Sequence, residues 1–153
     1  MIAMVVRYCD GEIPVGGDFS EADELIRGTE KRVTDAATLA ISHLAIHEAI
    51  AAIWELVDDL NGYITAQEPW ALAKDPANRA RLEAVLATAV RGLGTLAVLL
   101  SPVVPQATAK LWTSLGGTGL VTDQRIDRAW EWTGGPRVTP LEALFPRIEA
   151  TVG

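Results

Sequence analysis

The stretch Asn61-Gly62-Tyr63-Ile64-Thr65-Ala66-Gln67-Glu68-Pro69-Trp70, continuing Ala71-Leu72-Ala73-Lys74, divides two long apolar-striped segments. Proline lacks a backbone N–H and its ring clashes with the preceding turn, so it cannot continue a helix interior. The helix that enters the stretch is predicted to end at Gln67 or Glu68, leaving Trp70 in the corner just beyond. A large flat ring in such a corner is either a core plug or a platform for a flat ligand.

Outward from the corner, the pattern is helical. Upstream, Ile46, Ala49, Ile50, Ile53, Trp54, Val57, Leu60 and Ile64 recur at 3.6-residue spacing over about 46–66. Before that, a helix is predicted from Thr29 or Glu30 to about Leu44. A shorter one opens at Ser20, with Asp23 in the capping-box position, and closes at Gly28. Residues 1–8 read as the last turns of a helix whose beginning lies upstream of Met1, closed by Asp10-Gly11. Downstream, Asp75-Pro76 restarts the chain, with proline in the favoured first turn. Residues 78–100 carry the longest stripe, and a further helix runs from Pro105 to about Leu115, stopped by Gly116-Gly117. Repeated helices with short loops predict an all-α, antiparallel helical bundle over 1–116. Residues 117–153 form a small irregular or hairpin tail, with an alternation at Trp130-Glu131-Trp132 and a turn at Gly134-Gly135. Trp54, Trp112, Trp130 and Trp132 are predicted to be packing residues.

Composition narrows the function. With 153 residues, 49% of them hydrophobic, the chain is one globular domain's worth. The apolar run around Leu96–Leu100 is too short to span a membrane, and the apolar start lacks the basic leader of a secretory signal. Cys9 is the only cysteine, which fits a reducing cytoplasm. A net charge of −7 is unfavourable for a generic nucleic-acid binder, so any such contact must be local. His43 and His47 are read as spaced i, i+4 on one helix, but no third metal ligand is evident. Gly92-Leu93-Gly94 lies inside an apolar helix and reads as close packing, not as a phosphate loop. No catalytic set emerges.

Asn61-x-Tyr63, Pro69-Trp70-x-Leu72-x-Lys74, the long helix, then Leu99-Leu100-Ser101-Pro102-Val103-Val104-Pro105 with Lys110-Leu111-Trp112 resembles the helical anticodon-binding domain of class I aminoacyl-tRNA synthetases. Tyr8-Cys9-Asp10-Gly11 and the end Ala143-Leu144-Phe145-Pro146-Arg147-Ile148-Glu149 make the pattern most similar to the methionyl-tRNA synthetase family. The corner alone would not separate it from the valyl, leucyl or isoleucyl enzymes. The resemblance implies that Trp70 stacks on the cytosine of a CAU anticodon, that Asn61 lies near that site, and that Pro69 sets the ring's position. It implies methionine tRNA and a synthetase catalytic domain as partners. The nucleotide-binding domain that uses ATP with magnesium to charge the tRNA has no counterpart in this chain, so no cofactor and no methionine activation are expected of it. The family's earlier anticodon-reading helix would lie upstream. Lys74, Arg7 and Lys110 are candidates for contacts to the tRNA backbone. A helical protein-interaction module is the alternative, and a small enzyme built on the His43/His47 pair a distant third. Met1, Ile2, Val5, Leu144, Phe145 and Ile148 are predicted to form an exposed apolar patch.

Overall fold

The computed structural model describes residues 1–145. It contains the helices α1 (Ile2–Cys9), α2 (Glu21–Ser42), α3 (Ile46–Gln67), α4 (Pro69–Leu72), α5 (Arg79–Leu100) and α6 (Pro105–Ser114). Short 3-10 segments lie at Pro76–Asn78, Val121–Asp123 and Ile126–Glu131. Among the described residues there is no strand, only an isolated antiparallel bridge between Glu12 and Arg137.

The axis of the bundle is α5. Fifteen of its 22 residues are buried, and α1, α2, α3, α4, α6 and the tail all pack on it. A helix apolar on every side belongs inside a protein. With the turn before it, Pro76–Leu100 is long and apolar enough to cross a membrane, yet 83% of its most apolar window is buried within the bundle. It reads as a core helix. Small residues let neighbours in: a Cβ on Gly92 would stand 2.6 Å from the Leu60 side chain, and one on Gly94 2.0 Å from the Trp132 ring.

Several local expectations are corrected. The two helices predicted on either side of Gly28 are one, α2. A helix-interior glycine costs about 1 kcal/mol, and α2 packs against α3 and α5 on both sides of it, through Ile26 and then Val33 and Ala37. His43 and His47 do not share a helix, because Leu44 takes φ 58° and separates α2 from α3. The buried face of α3 includes Leu56 and Tyr63, one position round from the predicted stripe, and leaves Trp54 57% exposed instead of packed. The tail is irregular and the hairpin is not formed. Trp130 ends up with the guanidinium of Arg27 4.8 Å and the ammonium of Lys31 5.5 Å from its ring centre.

The apolar patch is only partly present. Ile2 and Val5 are buried, in one cluster with Leu82, Leu86 and Val90 of α5. Leu144 is half-buried and Phe145 is 72% exposed. Ile148 lies outside the described residues.

Candidate nucleic-acid interface

The corner is built by three consecutive residues. Glu68 takes a left-handed conformation, φ 45° and ψ 58°, which stops α3 at Gln67. Its N–H still donates to the Ile64 carbonyl (3.1 Å), while its own carbonyl accepts from the N–H of Ala71 (2.8 Å) and Leu72 (3.1 Å). One residue therefore closes one helix and opens the next. Pro69 occupies the first position of α4, where its missing N–H costs nothing. Pro69 is buried, Leu72 is held in the hydrophobic clusters beneath, and Trp70 is left 42% exposed. The ring is not a core plug. It rests on the outside of a short helix whose inner side is anchored to α5.

A buried polar hub lies beneath. Asp23, 1% exposed, is the third residue of α2 and forms the capping box with Ser20, whose N–H and hydroxyl both donate to Oδ2 (2.8 and 3.0 Å). Tyr63 of α3 donates its hydroxyl to Oδ1 (2.5 Å), as does Thr88 of α5 (2.7 Å). Arg81 of α5 donates to Oδ2 (2.5 Å). Burial alone would raise the carboxyl's pKa. The donors from Tyr63, Arg81, Ser20 and Thr88 outweigh it and hold Asp23 ionised far below the usual carboxylate range. Burial, and then the facing carboxylate, push the Tyr63 phenol above its ordinary value, so it stays a donor. Sequence reasoning read Ser20 and Asp23 only as a helix cap and missed the hub. Its one visible signal was that Asp, not Glu, stands in the box, short enough to be drawn inward.

The remaining predicted site residues are scattered. Asn61 is exposed on α3, six residues before the helix ends, which is about 9 Å along its axis. It is therefore not a C-terminal cap. Lys74 is exposed at the end of the corner, on a rim that also carries Glu68 and Asp75. Arg7 is exposed on α1, its guanidinium 5.6 Å from the Tyr8 ring centre. Arg79 ties that last turn to the start of α5 through the Tyr8 carbonyl (2.6 Å). Met4, Val6 and Tyr8 pack against the same hydrophobic cluster as Leu72 and Ala73. Lys110 lies elsewhere, in surface pockets lined by α6 and residues of the 139–145 segment, with no residue of the corner among them. Among the described residues, no group of three or more His, Cys, Asp or Glu is placed to hold a metal.

The chain belongs to the family of anticodon-binding domains of tRNA ligases, whose model matches residues 23–144. Within that family the likeness is to the methionine enzymes. The chain is 40% identical to the methionine–tRNA ligase of Streptomyces coelicolor, over 96% of this chain and 29% of that protein. It is 31% identical to the methionine–tRNA ligase of Bacillus subtilis, over 97% of this chain and 23% of that protein. It superposes on the crystal structure of the apo form of Mycobacterium tuberculosis methionyl-tRNA synthetase with a TM-score of 0.86 at 30% identity, covering 97% of this chain and 30% of that one. The chain thus spans less than a third of the relatives it matches.

Proposed function

We propose that this domain reads the anticodon of methionine tRNA, with the exposed ring of Trp70 stacking on the cytosine of CAU, Pro69 fixing the ring and Asn61 contributing to base readout. The observation that carries the reading is the half-exposed Trp70 at a corner that the fold takes trouble to fix. Single-stranded loops are recognised by stacking unpaired bases on aromatic faces, and nothing in the bundle requires that ring outside. Lys74, at the end of the corner, and Arg7, on α1, supply backbone contacts, and Lys110 serves only a more distant part of the tRNA. In the whole synthetase, in the cytoplasm, a separate catalytic domain would use ATP with magnesium to charge the tRNA with methionine.

The test is titration of the chain with an anticodon stem-loop RNA bearing a CAU loop and with one bearing a permuted loop. The CAU loop binds tighter, and Trp70→Ala weakens it roughly ten- to a hundredfold, since stacking is worth about 1–3 kcal/mol per base. With a net charge of −7 the chain binds weakly and more weakly still as salt rises. Equal affinity for both loops, or an unchanged affinity in Trp70→Ala, overturns the reading.

A further inference from the structure

One guanidinium links the buried Asp23 to Gln67, the last residue before the corner. Arg81 projects from the first turn of α5 with its side chain 16% exposed, and all three of its nitrogens are in use. Nη1 donates to Asp23 Oδ2 (2.5 Å) and to the Asp18 carbonyl (2.8 Å). Nε and Nη2 both donate to the Gln67 side-chain carbonyl, at 3.2 and 2.6 Å. Gln67 is the last residue of α3, and after it come the left-handed Glu68, Pro69 and the ring. The guanidinium thus joins the segment before α2, α2 itself, the end of α3 and the start of α5.

We propose that Arg81 is a positioning residue for Trp70: through Gln67 it ties the last turn of α3 to the fixed frame of Asp23, and so sets the direction in which the corner presents the ring. Its consequence for RNA binding rests on the function proposed above, whereas its geometry does not. Asp23 already has Tyr63, Thr88 and Ser20 as donors, so the arm that reaches Gln67 is not needed to satisfy the buried charge. Gln67 is only half-buried, and water could take its amide. What the arm adds is orientation. Glu68 joins α3 to α4, so the last α3 turn fixes one end of α4 while Pro69 and Leu72 hold its inner side, and the ring begins two residues after Glu68. The device also needs arginine. A planar fork can hold two acceptors in one plane, but a lysine ammonium is a single point that could keep Asp23 and would release Gln67.

The experiment uses the 153-residue chain labelled with 5-fluorotryptophan, its five indole 19F resonances assigned by single Trp→Phe changes. In Arg81→Lys and in Gln67→Ala the Trp70 resonance shifts or broadens, while those of Trp112 and Trp132 hold. Gln67→Glu, which keeps an acceptor for the guanidinium, restores it. Affinity for the CAU stem-loop falls roughly three- to tenfold in the two loosened variants, which is about 0.7–1.4 kcal/mol, and recovers in Gln67→Glu. A Trp70 resonance indifferent to both changes overturns the proposal, whatever happens to RNA binding. If Arg81→Lys fails to fold, Gln67→Ala decides alone, since it leaves the Asp23–Arg81 pair intact. If the resonance responds but Trp70→Ala does not weaken RNA binding, the positioning role stands and the anticodon reading falls.

Discussion

Trp70 and Trp112 both ride on short helices that open with proline, α4 at Pro69 and α6 at Pro105, and the bundle treats the two rings in opposite ways. Trp112 is 2% exposed. Its ring centre lies 5.2 Å from that of Trp132, its indole N–H reaches the Thr118 carbonyl, and Gly117 passes so close that a Cβ there would stand 2.2 Å from it. Trp70 has a buried proline behind it and solvent in front. The seam around Trp112 is held by apolar contact, and glycines allow the approach. The corner around Trp70 is held by a buried carboxylate, an arginine fork and a left-handed residue. Apolar packing fills space with little regard for direction, while hydrogen-bonded frames fix direction at a cost in desolvation. A ring that must face outward at a set angle calls for the second kind of support.

The sharpest way to break this contrast is to remove the buried ring. Trp112→Ala should lower stability by about 3–5 kcal/mol, which for a chain of this size is roughly 6–20 °C in melting temperature. A shift of only a few degrees in a thermal scan would mean that the seam is not packed as described.

Next comes the frame under the corner. Asp23→Ala strands Arg81, Tyr63 and Thr88 without their acceptor, and removing one partner of a buried pair costs about 3 kcal/mol or more. The same group sets a pH dependence. Its folded pKa lies below the unfolded value of about 3.9, so its contribution is complete at neutral pH. It is lost as pH falls below 4 towards the folded pKa. Urea unfolding at pH 7, 5, 4 and 3 should show a loss on the acid side that is smaller in Asp23→Asn. Identical acid profiles for the two proteins would remove Asp23 from the frame.

Gly94→Ala tests the seam from the α5 side. The new methyl would meet Trp132 at 2.0 Å, so the tail must shift, at about 1–3 kcal/mol for an overpacked core. Unchanged stability together with an unchanged Trp132 environment by fluorescence would contradict the close approach.

How much of this was legible in the sequence follows the same division. The long stripes, the prolines at Pro69, Pro76 and Pro105 and the glycine stop after α6 are local signals, and the helices they mark are present. Gly28 misled because its intrinsic cost is small beside the packing of one 22-residue helix. The burial of Ile2 and Val5, and the exposure of Trp54, depend on which elements meet, and no 3.6-residue stripe reports that. The hub was least legible. Asp23, Tyr63, Gln67 and Arg81 are ordinary in their own segments and become a unit only when α2, α3 and α5 converge. Pro69-Trp70 placed a ring in a corner and left it either a core plug or a platform, and the groups that aim it could not be read at all.

The smallest effect on stability is expected where the proposed function is most exposed. Trp70→Ala deletes a ring already 42% in solvent, so the buried part lost is far less than for Trp112. Pro69 and Leu72 still anchor α4, and none of the hydrogen bonds at the hub involves the indole. The melting temperature should fall by at most about 2–4 °C, corresponding to roughly 1 kcal/mol, while binding of the CAU stem-loop falls by one to two decades. Asn61→Ala should move stability still less and weaken binding by no more than about tenfold, because a neutral hydrogen bond has a net value of about 0.5–1.5 kcal/mol. Thermal scans and RNA titrations on the same preparations separate the two quantities. A loss of stability in Trp70→Ala close to that of Trp112→Ala would make the corner ring a structural plug after all, and the contrast between the two tryptophans would collapse.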